Sequence, residues 1–162
     1  MKKLSWCRLV LMMISMTISG FSMPCRADEA VPLSQGQTLY VPVYSHIYGG
    51  NRELPILLTA TLSIRNVDVR HSVTLTTVDY YGTRGEMIRK FLEQPVVLRP
   101  LESTRFVIPQ KDKSGGSGAN FLVEWQAAQP VNPLLVEAVM IGAEGQQGIS
   151  FTSRAQVITS GK

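Results

Sequence analysis

From Leu33 onward the apolar residues of this chain recur at every second position, and no window long enough for a helix carries the three-and-four spacing. Such a chain has to bury one face of each strand against another layer, so the pattern restricts it to a β architecture. Residues 38–48 (TLYVPVYSHIY) place Leu39, Val41, Val43 and Ile47 on one face and Tyr40, Tyr44, His46 and Tyr48 on the other. Pro42 has no N–H for a ladder, which predicts an edge position or a bulge for this first strand. Residues 57–66 turn Leu58, Ala60, Leu62 and Ile64 inward and Thr59, Thr61, Ser63 and Arg65 outward. Residues 73–81 are β-branched and aromatic, and 82–85 read as the turn of a hairpin into 87–92. Short strands are predicted at 96–98 and 103–108, with Phe106 and Ile108 on one face and Pro109 as the stop. After the polar stretch 110–118 come strands at 120–126, 134–141 and 149–158. Closely spaced strands without a helical crossover predict an all-β fold, an antiparallel two-sheet immunoglobulin-like sandwich formed by one domain over residues 33–160.

The segment Ser114 to Trp125 (SGGSGANFLVEW) passes abruptly from a glycine loop into an alternating strand, and the chain is expected to be arranged around it. An antiparallel register keeps apolar residues on one face. With Trp125 inward, Phe121, Val123 and Trp125 match Val136, Ala138 and Met140 when Trp125 lies opposite Val136. The last strand matches with Met140 opposite Phe151 and Ala138 opposite Ser153. The expectation is therefore three C-terminal strands side by side, with Glu124, Glu137 and Arg154 in one outward row. That row reads as a surface ion pair worth well under ~1 kcal/mol, or as a site for a cationic group or a metal. Leu122, Leu135, Val139 and Ile141 share the same predicted face, and so much aliphatic surface calls for cover by the chain or by a partner.

The first 27 residues have the layout of a secretory signal peptide: Lys2 and Lys3, an apolar run from Leu9 to Ile18, then small residues up to Ala27. The run is too short and too interrupted for a membrane span, which needs about 20 apolar residues. Pro24 makes a poor lead-in for a lipid anchor on Cys25. Four of the 16 Lys and Arg residues (Lys2, Lys3, Arg8 and Arg26) fall in this leader and none of the 12 acids does, so the remaining chain is balanced in charge. The basic character thus gives no support for nucleic-acid binding. Both cysteines, Cys7 and Cys25, lie in the leader too, which leaves no thiol for a disulfide, a metal site or a nucleophile. A periplasmic or secreted location follows as the expectation.

No catalytic motif stands out. Ser114-Gly115-Gly116-Ser117-Gly118 reads as a flexible connection or as a nest of amides for an anion, but it lacks the lysine of a phosphate loop and leads into a strand. His46 and His71 are the only histidines, too few for a histidine-only metal site, so neither cofactor nor metal is expected. The pattern GxSxG is absent. Tyr40, Tyr44, His46, Tyr48, Tyr80 and Tyr81 form an aromatic and polar group that suits a sugar or peptide, or simply the rim of a core.

The segments YVPVYSHIY (40–48), LSIRN (62–66), VDYY (78–81), GGSGANFLVEWQ (115–126), PVNP (130–133), EAVMIG (137–142) and GISFTSR (148–154) resemble those of exported bacterial proteins grouped as domain of unknown function 3124. The resemblance implies an envelope protein with no assigned activity, cofactor or catalytic residue. The residues themselves point first to a noncatalytic module binding an envelope protein or a small ligand through Tyr44, His46, Asp79, Gly116, Ser117, Asn120, Glu124, Glu137 and Arg154. The alternatives are an enzyme using Asp79, His46 and Glu124 as acid and base groups, and a structural subunit packed on a second copy.

Overall fold

The structure, a computed structural model, describes residues 32–49, 53–144 and 147–160; the expected leader and Cys25 lie outside these. The strands in chain order are β1 (Ser34–Pro42), β2 (His46–Tyr48), β3 (Pro55–Leu57), β4 (Thr59–Arg65), β5 (Val73–Tyr81), β6 (Met87–Lys90), β7 (Val96–Leu98), β8 (Ser103–Ile108), β9 (Asn120–Val131), β10 (Leu135–Glu144), β11 (Gln147–Arg154) and β12 (Gln156–Ser160). They build two antiparallel sheets, as the alternation predicts. The larger has the order β12-β1-β9-β5-β6, with β7 also paired to β5, and the smaller has the order β11-β10-β4-β8. A two-stranded ribbon, β2-β3, stands apart from both.

The inward residues of the two sheets form one core. Leu39, Val41, Leu75, Val78, Tyr80, Phe121, Val123 and Trp125 come from the larger sheet, and Leu62, Ile64, Ile108, Val136, Ala138 and Met140 from the smaller. Each fully buried large side chain of this kind contributes roughly 1.5–3 kcal/mol. Trp125 is 3% exposed, so it points inward as its place in the alternation requires.

Two expectations are corrected. The first concerns β9, which pairs with β1 and β5 and not with β10: Trp125 lies opposite Gln37 and Leu75. Apolar matching is satisfied by any strand with the right alternation, and β1 and β5 match β9 as well as β10 does. The β10–β11 register is the expected one, with Met140 opposite Phe151, Ala138 opposite Ser153 and Glu137 opposite Arg154.

The second correction divides the strand expected at 149–158. The chain leaves the smaller sheet after Arg154, and β12 joins the larger sheet beside β1. Ala155 makes the step, its N–H donating to Val136 O at 3.0 Å. Of the two outcomes that Pro42 predicts, an edge position or a bulge, the bulge is the one met, and β1 lies inside its sheet. Val43 donates its N–H to Ala119 O on the β9 side, so position 42 faces the other flank, where β12 reaches only Gln37 to Tyr40. Proline at 42 therefore leaves no ladder partner unpaired. The expected irregularity is also present, since the β1–β12 register shifts between Thr38 and Leu39.

A polar hub that the alternation could not indicate locks three connections together. Asn66, buried at the end of β4, donates through Nδ2 to the carbonyls of His71, Leu98 and Arg99 and accepts the Asp68 N–H at 3.0 Å. Asp68 Oδ1 accepts the N–H groups of Arg70 and His71 at 2.9 Å each, and Oδ2 accepts the Asn132 N–H at 3.2 Å and its Nδ2 at 3.3 Å. The backbone N–H groups of Arg70 and Asn132, with that of His71, hold the Asp68 carboxyl at about 2, well below its ordinary value. One carboxylate thus ties the β4–β5 connection to the β9–β10 connection.

Because the folded value lies below the unfolded one, the stability Asp68 supplies is present above the unfolded pKa of 3.8 and is lost as pH falls toward 2. Thermal unfolding followed across that window should show wild type losing stability steeply. Asp68→Asn should begin less stable at neutral pH and show a flatter profile; parallel profiles would mean that the hub is not charge-dependent.

Candidate functional site

The outward residues of the larger sheet come together in rows set by the register. Tyr40, Leu122 and Asp79 lie side by side, with Lys90 beyond Asp79. Thr38, Glu124 and Thr77 form the next row, and Pro42, Asn120 and Tyr81 the row on the other side. Asp79, Asn120 and Glu124 therefore share one face. The Thr77 hydroxyl donates to Glu124 Oε2 at 2.8 Å, which fixes the carboxylate on the sheet and leaves its other oxygen for a ligand.

Ladder irregularities shape this face. The register shifts in β1 between Ser34 and Gly36, and in β5 between Leu75 and Thr77, on either side of the Trp125–Gln126 stretch of β9. Gly36 lies so close to β9 that a Cβ there would come 2.7 Å from Trp125 O, so the approach requires glycine. A shallow depression of about 410 Å³ results, lined mainly by Gln35, Gln37, Thr38, Thr76, Glu124 and Gln126. A second one, of about 510 Å³, is bordered by Ser72, Thr74, Ala127 and Ala128 and shares Gln126 with the first, so a shallow trough of mixed polarity follows β9.

The other residues singled out from the sequence lie elsewhere. Glu137 and Arg154 project from the outer side of the smaller sheet, across the core from Glu124, so the expected row of Glu124, Glu137 and Arg154 does not exist. Tyr44 and His46 lie beyond the end of β1. The Tyr44 ring meets Phe151 edge-on with centroids 5.7 Å apart, and His46 Nε2 is 3.2 Å from the Tyr48 hydroxyl in the β2–β3 ribbon. His46 is thus six residues past the row of Asp79 and outside that sheet, and the proposed acid and base trio of Asp79, His46 and Glu124 is not assembled. Among the described residues no three His, Cys, Asp or Glu side chains come together as metal ligands. The tyrosine group also divides. Tyr40 and Tyr81 face outward on the larger sheet, Tyr44 and Tyr48 lie past its end, and Tyr80 is buried in the core.

The glycine loop is folded rather than loose. Gly116 to Gly118 form a 3-10 turn whose groups are tied to neighbouring segments. Gly115 O accepts the Thr83 N–H and hydroxyl at 2.9 Å each, and Gly116 O accepts the Ser45 N–H at 3.0 Å and hydroxyl at 2.9 Å. The Gly118 N–H donates to Thr83 Oγ1 at 3.0 Å and the Gly116 N–H to Lys113 O at 3.2 Å. The Gly116 and Gly118 amides are thus donated within the fold and are not free for an anion. Thr83 was not legible as a partner, because a hairpin-tip threonine gives no pattern signal. Gly115 packs against the hydroxyl end of Tyr80, where a side chain would meet the hydroxyl and Cζ. Burial, followed by the nearby Asp112 carboxylate, pushes the Tyr80 phenol up.

These features define an all-β sandwich protein with a shallow outer sheet face of mixed polarity. The chain belongs to the family described as protein of unknown function (DUF3124), which it matches over residues 36–158. No curated protein matches it. Among solved structures it is similar to the protein in the crystal structure of Thermotoga maritima 1070, with a TM-score of 0.45 and 11% identity, over 74% of this chain and 92% of that one.

Adding a Cβ at Gly115 should destabilise the fold by about 1–3 kcal/mol through overpacking against Tyr80. In urea unfolding, Gly115→Ala should lower the midpoint, and Tyr80→Phe should recover part of the loss by removing the nearest atom. Equal losses with and without the hydroxyl would place the strain elsewhere.

Proposed function

We propose that this chain is an exported envelope protein that acts as a noncatalytic binding module, holding a hydroxyl-rich ligand such as an envelope glycan on the outer face of its larger sheet. The observation that carries the reading is the β9 trough, where carboxamides, threonine hydroxyls and the anchored Glu124 carboxylate line a shallow surface. Enzyme pockets are concave and mostly apolar, with a few convergent polar groups. Here polar and apolar surface are mixed and spread along a strand in an open depression, which suits weak hydrogen bonds together with ring contacts to an extended partner. Tyr40, one row from Glu124, supplies an aromatic surface for a sugar ring.

The exported location rests on the leader-like first 27 residues. Among the described residues no helix is long and apolar enough to cross a membrane. Asp79 and Glu124 share the face in neighbouring rows, and the reading assigns both to hydrogen bonding with the ligand.

Titration of isotopically labelled protein with soluble cell-wall glycan fragments should shift the amide signals of Thr38, Thr77, Glu124 and Gln126. Glu124→Gln should weaken binding by about tenfold or more, as expected for losing a hydrogen bond to a charged group worth ~1.5–3 kcal/mol. Shifts confined to the smaller sheet, or no shifts with any fragment, would overturn the assignment.

A further inference from the structure

The outer face of the smaller sheet has a different chemistry, and the binding reading above does not use it. Its register brings Arg105, Ser63, Glu137 and Arg154 into one row across β8, β4, β10 and β11. Arg65 stands in the adjoining row, between Ser103 and Leu135. Three arginines and one carboxylate thus share this face, with Arg154 directly opposite Glu137 and Arg105 beyond Ser63, and all three arginines are exposed. Among the described residues none of them makes an ion pair; Arg65 Nε donates instead to Ser63 Oγ at 3.2 Å.

The rest of this face is aliphatic and hydroxylic. Val107, Thr61, Val139 and Thr152 make the row next to the arginines, and Ile141 lies one row further on. Leu135 is 38%, Val107 41% and Ile141 52% exposed, and β10 places Leu135, Val139 and Ile141 on one side. A small soluble anion would answer the arginines and leave the aliphatic rows in water. A flat surface carrying anionic groups above an apolar layer answers both, because guanidiniums meet phosphates while neighbouring aliphatic groups enter the interface.

We infer that the outer face of the smaller sheet docks on an anionic phospholipid surface, through Arg65, Arg105 and Arg154 with Val107, Val139 and Ile141 seated between headgroups. The site is peripheral: it involves no membrane-crossing element, and the opposite sheet face stays accessible while it is occupied.

The test is co-sedimentation of the leaderless chain with vesicles of phosphatidylcholine alone and of phosphatidylcholine and phosphatidylglycerol in equal parts. Wild type should sediment with the mixed vesicles and not with the neutral ones, and added salt should weaken the binding. Each arginine-to-glutamine change should reduce partitioning by about fivefold, and the combined Arg65→Gln, Arg105→Gln, Arg154→Gln variant by about a hundredfold. Lys90→Gln on the other sheet should change little. Ile141→Thr should weaken vesicle binding several-fold without altering its salt dependence, which separates a lipid surface from a soluble polyanion. Because these side chains are exposed, the variants should keep the wild-type circular dichroism spectrum; if the triple variant does not, the three single variants decide. Equal binding to neutral vesicles would overturn the inference. So would inorganic polyphosphate binding as tightly as vesicles with Ile141→Thr having no effect.

Discussion

A strand in the middle of a sheet must have its backbone groups matched on both flanks, and β9 is the strand on which that demand falls hardest. It is 12 residues long, and it runs between β1 and β5, so it carries the larger sheet. Phe121, Val123 and Trp125 on its inner side meet the core while Asn120, Leu122 and Glu124 on its outer side belong to the candidate face. Core and candidate site are therefore two sides of one element. The glycine turn before it is tied to Ser45 and Thr83, so the point where β9 enters the sheet is fixed by the chain segments that continue β1 and β5.

This dependence explains which parts of the fold could be read from the letters. Alternation identifies the inward side of a strand whatever its neighbours are, and Leu58, Ala60, Leu62 and Ile64 are buried as that pattern requires. Register is legible where two strands are neighbours in the chain, as β10 and β11 are, because apolar matching then has one obvious partner and keeps Met140 and Phe151 on one side. The partner of β9 is a different kind of question. Its neighbours β1 and β5 lie far away in the chain, and their inward residues are as apolar as those of β10, so matching alone could not choose between them.

The change of sheet at Ala155 left no mark for a related reason. Period two continues through residues 149–158, and nothing in Arg154-Ala155-Gln156 resembles a turn signal. The site followed the fold. Asp79, Asn120 and Glu124 were brought together because they sit outward on two strands that do pair, whereas Glu137 and Arg154 were joined to Glu124 only by the β9–β10 pairing, which the structure replaces. Asn66 and Asp68 escaped notice because a polar connection looks solvent-exposed until three segments converge on it.

The separation of those charges has a consequence for how the molecule works. A single row of Glu124, Glu137 and Arg154 would have been nearly self-neutralising; instead the larger sheet presents Asp79 and Glu124 with one base, Lys90, beside Asp79, and the smaller presents Arg65, Arg105 and Arg154 with one acid, Glu137. Near-zero net charge over residues 28–162 thus conceals two faces of opposite tendency, held apart by the thickness of a packed core of about 10 Å between sheets. Like charges on one rigid face can act together on a partner, while the other face is too far and too differently charged to compete for it. On the two readings proposed here the sandwich is an adaptor, with one face turned toward an anionic lipid layer and the other toward the glycan side, and its rigidity keeps the two faces pointing in opposite directions.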